Sequence, residues 1–209
     1  MNATGALNGF RPVTEAEVVL AFLRGEIDSD RFGNDLRRAL VDAGGLHLVR
    51  SPDLDSDEQN RARERALAAA RGWRDRALFD GFPEKVDWYH GVLAPDALSR
   101  VRFIDYSYWS ELSGGSRRPA DVLSTLRSGR LPTWLSELGT DWCFQFAARL
   151  TAAEAVHDLI VMATPDLGEL VLLEGHARLT AVFVGRLQQR LTVRAYLGLS
   201  AAIEQWSCF

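Results

Sequence analysis

The sequence predicts an α+β protein with a mostly helical first half and a second half in which strands, turns and helices alternate. Helix-start signals and apolar positions at helical spacing dominate residues 14–78, whereas runs rich in β-formers recur between residues 101 and 197. The composition shifts near residue 100. We therefore expect a helical N-terminal region over residues 1–99 and a small mixed sheet over residues 100–209.

Local signals divide the N-terminal half. Thr14 and Glu17 have the spacing of a capping box, which starts the first helix. The predicted elements are a loose arm at 1–13, helices at 14–25, 28–43 and 57–78, a short strand at 46–49 and a short helical stretch at 88–98. The arginines of the third helix are interpreted as a solvated face balanced by acidic neighbours, with a basic contact surface as the alternative.

The C-terminal half contains the strands. A β-rich run predicts a first strand, and a turn with Pro165 and Gly168 predicts a hairpin. The predicted elements are a strand at 101–108, a glycine loop at 110–119, helices at 120–128 and 131–148, a further turn at 152–156, hairpin strands at 158–163 and 169–173, a helix at 176–190, a strand at 191–197 and a terminal helical turn at 200–206.

Composition restricts the class of protein. The chain has 209 residues, is 47% hydrophobic and has a net charge of −4, a balance that argues against a nucleic-acid partner. Its two cysteines cannot form a disulfide framework, and a reducing cytoplasm fits best. The first residues resemble no signal peptide, and no apolar run reaches the length of a membrane span, so we expect no membrane contact.

One segment carries the main functional signal. The apolar run Leu170–Leu173 ends in Glu174 and Gly175, and a helix-like pattern begins at once. The unpaired N–H groups and the dipole of a helix N-terminus attract anions there. Gly175 permits a tight turn, and Arg178 could reach back to grip a phosphate. We call residues 174–178 the elbow, although an ordinary strand-to-helix turn would have the same spacing.

The order of elements around the elbow suggests a family. The segment from Asp158 to Leu199 reads as a hairpin, a Gly-x-x-Arg elbow, a helix and a closing strand, and it resembles the ParB/sulfiredoxin superfamily. With a looser match from Val101, the resemblance covers about half of the chain. It implies a sulfiredoxin-like fold that binds a nucleotide at the elbow.

The branches of this superfamily differ at the elbow. ParB proteins bind CTP at an elbow richer in arginine and carry a DNA-binding domain, which we do not expect after Leu199 here. Sulfiredoxin uses ATP and has a cysteine where this chain has His176. The Glu-Gly-His-x-Arg form looks most like the elbow of the free-serine kinases, which transfer a nucleotide phosphate to a small hydroxylated molecule.

The resemblance implies roles for the elbow residues. Arg178 and the backbone N–H groups of His176 and Ala177 would hold phosphates, and His176 would donate to a phosphate oxygen. Glu174 would act as general base or as a Mg²⁺ ligand, or else pair with Arg178 four residues on. Thr180 would touch a phosphate or bond back to its own helix.

A second candidate site is the glycine loop. Gly114, Gly115 and Ser116 leave the backbone free to wrap an anion, and Arg117 best matches an arginine that the superfamily directs toward the nucleotide. The alternative is a surface loop without function. Asp105, on the strand before the loop, is a candidate Mg²⁺ or substrate contact.

The leading hypothesis is therefore an enzyme. It would bind ATP, ADP or CTP with Mg²⁺ and transfer or hydrolyse a phosphoryl group, with a small hydroxylated acceptor. The alternative is a non-catalytic nucleotide-sensing module whose helical half binds a partner. A nuclease is a third possible function, which the negative net charge disfavours. The sequence leaves a homodimer open.

Overall fold

The computed structural model describes residues 9–129, 131–151 and 155–209, which form a six-stranded mixed sheet between two layers of helices. The α+β class is confirmed. The strands are β1 (Arg11–Val13), β2 (Asp87–Val92), β3 (Arg102–Phe103), β4 (Ala155–Ala163), β5 (Leu170–Glu174) and β6 (Thr192–Leu199). Their order in the sheet is β1-β2-β6-β4-β5-β3, with the β4–β6 and β3–β5 pairs parallel and the others antiparallel.

Helices precede and follow the strands along the chain. They are α1 (Glu15–Glu26), α2 (Gly33–Ala43), α3 (His47–Arg50), α4 (Asp57–Arg71), α5 (Pro95–Arg100), α6 (Ser107–Leu112), α7 (Pro119–Ser128), α8 (Thr133–Leu138), α9 (Asp141–Thr151) and α10 (His176–Val184). Short 3₁₀ turns lie at Ala77–Phe79 and Ile203–Gln205. Among the described residues, no helix is both long and apolar enough to cross a membrane.

The sheet separates two hydrophobic cores. On β4, Leu159 and Val161 face the core shared with α7, α9 and α10, whereas Ile160 and Met162 face the core shared with α1 to α4. We call α1 to α4 the N-terminal layer. Because the sheet is covered on both faces, its central strands are apolar on both sides.

Capping signals locate two helices of the N-terminal layer correctly. The Glu17 amide donates to Thr14 Oγ1 (3.3 Å), and the Thr14 amide donates to Glu17 Oε2 (2.8 Å), which completes the predicted capping box. Helix α4 begins after Ser56, which accepts from the Gln59 amide, and ends at Gly72 in the left-handed region. It is therefore shorter than the predicted helix at 57–78.

The prediction of a solvated arginine face on α4 is wrong for Arg63. Its side chain is fully buried and donates to the carbonyl oxygens of Leu48 (3.0 Å) and Asp53 (2.9 Å), and to Asn60 Oδ1. The guanidinium thus ties α3 and the following turn to α4. A buried arginine is tolerated because these acceptors replace water.

Several predicted elements of the first hundred residues are wrong. Residues 47–50 form helix α3 and not a strand, since a short apolar run fits either state. The predicted helical stretch at 88–98 is strand β2 followed by helix α5, and residues 11–13 of the predicted arm form strand β1. Because β1 and β2 join the sheet, the sheet crosses the predicted boundary at residue 99 and is not confined to the C-terminal half.

In the C-terminal half the hairpin of β4 and β5 is confirmed. The strand predicted at 101–108 is reduced to Arg102–Phe103, and helix α6 follows it. The helix after the elbow ends at Val184, earlier than predicted, because Gly185 follows it as C-cap. The turn predicted at 152–156 falls mostly outside the described residues, as do residues 1–8 of the arm.

Candidate functional site

The elbow joins β5 to α10 as predicted. Strand β5 ends at Glu174, Gly175 adopts a φ of +99°, and α10 begins at His176. A β-carbon at position 175 would lie 2.5 Å from Leu159 Cδ2. Both the positive φ and the lack of space require glycine here.

Arg178 folds back over this turn. Its Nη2 donates to Glu174 Oε1 at 3.2 Å, so the carboxylate–guanidinium pair four residues apart is formed. A β-carbon on Gly175 would also lie 3.2 Å from both Nε and Nη2 of Arg178. The guanidinium therefore lies against the glycine turn, on the side where a bound anion would meet the helix N-terminus.

The N-terminal layer covers the elbow. Glu174, His176 and Arg178 are only 6–8% exposed. Arg178 Nη1 lies 3.5 Å from the carbonyl oxygen of Gly25, near the C-terminal end of α1. The elbow thus lies in the interface between the sheet and the N-terminal layer.

Burial changes the protonation of Glu174. Desolvation raises the pKa of its carboxyl group above the usual value of 4.5, and Arg178 opposes this rise. The neighbouring carboxyl group of Glu26 raises the pKa of Glu174 further. Glu174 therefore retains a proton at a higher pH than an exposed glutamate does.

His176 is neutral and lies among aromatic rings. Its imidazole stacks on Trp109 (centroids 4.9 Å apart) and on Phe103 (5.8 Å apart). Burial, together with the charges of Arg71 and Arg178, lowers the pKa of His176 to about 3. A neutral imidazole donates one hydrogen bond, and among the described residues Nε2 has no partner.

Further hydrogen-bond donors of the elbow are unused. Within the described ranges, the backbone amides of His176, Ala177 and Arg178 donate no hydrogen bond, and Arg178 Nε has no partner. Buried donors normally find acceptors in the protein or in water. This concentration of unused donors matches the chemistry of an oxyanion site.

Thr180 follows the second of its two predicted alternatives. It is fully buried, and its hydroxyl donates to the carbonyl oxygen of His176 at 2.8 Å. The hydroxyl is used within the helix, so the predicted phosphate contact is not supported.

The glycine loop is not joined to the elbow by any described hydrogen bond or ion pair. Arg117 donates from Nε to the carbonyl oxygen of Phe103 (2.9 Å) and from Nη2 to that of Cys208 (3.3 Å). Gly114, Gly115 and Ser116 are exposed. Arg117 therefore holds β3 and the C-terminus together, and its only described link toward the elbow is Phe103, which stacks on His176.

The two predicted metal ligands lie in different surroundings. Asp105 is exposed and lies 4.0 Å from Arg117 Nη1, whereas Glu174 is buried beside Arg178 and Glu26. Over the described ranges, no three carboxyl, imidazole or thiol groups gather into a metal-binding cluster. The residues present do not fit a resident Mg²⁺ ion, so we assign no step to one.

Sequence reasoning missed the residues that the N-terminal layer contributes. These are Gly25, Glu26 and Arg71. The stacking of Trp109 on His176 was missed as well. A glycine inside an apolar helix pattern is a signal of close backbone approach, and it could have drawn attention to Gly25. No local signal marks Glu26 or Arg71.

Comparison with protein-family models, with curated proteins and with solved structures finds no match to this chain.

Proposed function

We propose that the protein binds a nucleotide through its phosphates at the elbow and transfers or hydrolyses a phosphoryl group, with a small hydroxylated molecule as acceptor. One observation carries this proposal. A carboxyl group with a raised pKa meets an arginine at a glycine turn that begins a helix. Among the described residues, the Nε of this arginine and the first amides of the helix have no acceptor. Phosphoryl transfer needs this combination of phosphate donors and a base.

The phosphate donors come from adjacent residues. The amides of His176 and Ala177 and the guanidinium of Arg178 would bind the terminal phosphates, and Gly175 lets the backbone approach them. Neutral His176 would add one N–H donor. Charge stabilisation and positioning would supply most of the rate enhancement.

Glu174 is the candidate base. It ends β5 next to the phosphate donors, and its raised pKa makes it a stronger base than an ordinary carboxylate once it is deprotonated. It would accept the proton of the acceptor hydroxyl as that oxygen attacks the terminal phosphorus, while the bridging P–O bond breaks and the shortened nucleotide leaves. Its hydrogen bond with Arg178 must then give way to the substrate.

A non-catalytic nucleotide sensor is the second candidate function. The contact between Gly25 and Arg178 favours it, because a nucleotide that takes Arg178 must disturb the N-terminal layer. The rearranged N-terminal layer would then signal that nucleotide is bound, and no phosphoryl group would be transferred. The Asp57–Arg71 helix would present the partner surface.

Calorimetric titration tests nucleotide binding. Wild type, Arg178→Ala and the control Arg190→Ala, an exposed arginine beyond α10, are titrated with ATP, ADP, CTP and GTP, each with Mg²⁺. We expect micromolar binding of at least one nucleotide by wild type and by the control, and its loss in Arg178→Ala. Absence of binding to every nucleotide would rule out both candidate functions.

Turnover then separates the two candidates. Glu174→Gln keeps the shape of the side chain and removes the base. The enzyme is supported if Glu174→Gln binds the nucleotide but loses phosphate release or transfer by 100-fold or more, that is, roughly the contribution of a general base. Nucleotide binding without turnover by wild type in a screen of hydroxylated acceptors would favour the sensor.

A further inference from the structure

Two charged residues at the ends of helices in the N-terminal layer lie close to the elbow. Glu26 ends α1 and is 8% exposed, and Arg71 ends α4. Arg71 Nη2 lies 4.0 Å from Glu26 Oε1, and the guanidinium lies 3.6 Å from the centre of the Phe32 ring. The aromatic ring orients the guanidinium without using its N–H groups.

Arg71 is close enough to act on the elbow electrostatically. Arg71 Nη2 lies 4.0 Å from Glu26 Oε1, and Glu26 follows Gly25, whose carbonyl oxygen lies 3.5 Å from Arg178 Nη1. In agreement with this geometry, the charge of Arg71 lowers the pKa of both Glu174 and His176. Arg178 acts on the same two groups. Two guanidinium groups from different layers therefore flank the elbow.

Around Glu26, Arg71, His176 and Arg178, the described residues leave more hydrogen-bond donors than acceptors without a partner. The unpartnered buried atoms of these side chains are Glu26 Oε2, Arg71 Nε, His176 Nε2 and Arg178 Nε. Arginine Nε is always a donor, and the free amides at the start of α10 add more donors. Glu26 Oε2 is one acceptor against this excess.

Arg71 differs from Arg63, the buried arginine that ties α3 to α4, in how its guanidinium is hydrogen-bonded. Arg63 also leaves its Nε without a described partner, but its Nη groups make three hydrogen bonds. Arg71 makes no hydrogen bond with any described residue and has only the 4.0 Å ion pair. A guanidinium that is held by an aromatic ring and makes no described hydrogen bond is prepared for an acceptor from outside the chain.

We infer that Arg71 and Arg178 form a two-armed oxyanion site, closed by the N-terminal layer over the elbow, for a phosphate or pyrophosphate group. That the anion belongs to a nucleotide rests on the proposed function. The carboxyl groups of Glu174 and Glu26 now lie against these guanidinium groups. The oxyanion would replace Glu174 on Arg178 and would accept hydrogen bonds from the free N–H groups of Arg71, so binding would link the two layers.

Titration with sodium pyrophosphate, without nucleotide or metal, tests this inference. The proteins are wild type, Arg71→Gln, Arg178→Gln and the matched control Arg61→Gln, which changes an exposed arginine of the same helix. We expect wild type and the control to bind alike. Each of the other two variants should bind pyrophosphate about 10-fold to 100-fold more weakly, because each loses charge-assisted hydrogen bonds to it.

The outcomes separate this inference from the proposed function. If Arg71→Gln binds pyrophosphate as wild type does, or if wild type does not bind it, the two-armed site is wrong, even where ATP still binds. If both arginines prove necessary for pyrophosphate but no nucleotide binds, the site stands and the nucleotide proposal falls. Should Arg71→Gln fail to fold, Arg71→Lys keeps the charge and should still weaken binding several-fold, because lysine lacks the bidentate geometry.

Discussion

Gly25 leaves the space that the guanidinium of Arg178 occupies. A β-carbon at position 25 would lie 2.8 Å from Nη1 and 3.1 Å from Nη2 of Arg178. The two residues are 153 positions apart, and each belongs to a different layer of the fold. Their contact links the N-terminal layer to the elbow.

This contact predicts that the effect of Gly25→Ala depends on Arg178. In an Arg178→Ala background, Gly25→Ala should raise the free energy of unfolding by about 0.5–1 kcal/mol, because alanine favours a helix. In wild type the added β-carbon displaces the guanidinium, and this cost should offset the gain. Urea unfolding of the four proteins measures the coupling, for which we expect about 0.5–3 kcal/mol. Equal effects in both backgrounds would contradict the contact.

The pKa of Glu174 predicts a pH dependence of stability. Because the folded pKa is raised, the contribution of Glu174 is fully present below its unfolded value of 4.5 and is lost as pH rises through the folded pKa. His176 has the opposite effect. Its pKa is about 3 when folded and 6.5 when unfolded, so its contribution increases stability as pH rises through that range.

Glu174→Gln isolates the first effect. The free energy of unfolding of wild type, minus that of Glu174→Gln, should be constant below pH 4.5 and fall toward neutral pH. Its slope should reach about 1.4 kcal/mol per pH unit at most. Urea unfolding across this pH range measures the difference. A difference that rises with pH would mean that pairing with Arg178 outweighs desolvation.

Arg63 predicts a large structural effect at a distance from the elbow. Arg63→Met keeps the length and helix propensity of the side chain but leaves the buried carbonyl oxygen of Leu48 without its donor. We expect a loss of about 2–5 kcal/mol in the free energy of unfolding. The exposed control Arg61→Met should change it by less than about 0.5 kcal/mol. A small loss for Arg63→Met would show that water reaches these acceptors.

The sequence predicted the elbow well because the signals for it are local. The positive φ of Gly175, the start of α10 and the pair between Glu174 and Arg178 all involve residues within five positions of one another. The short elements were predicted poorly. Residues 46–49 and 101–108 contain apolar runs that fit helix or strand equally, and packing chose between them.

The sequence by itself determined the α+β class, the hairpin of β4 and β5, the capped helices and the strand–glycine–helix turn of the elbow, since periodicity, caps and glycine act over a few neighbouring residues. Only the tertiary structure decided that the N-terminal layer buries the elbow and adds Gly25, Glu26 and Arg71 to it. The physical reason is that these contacts join residues far apart in the chain, whose proximity depends on how two layers pack on one sheet.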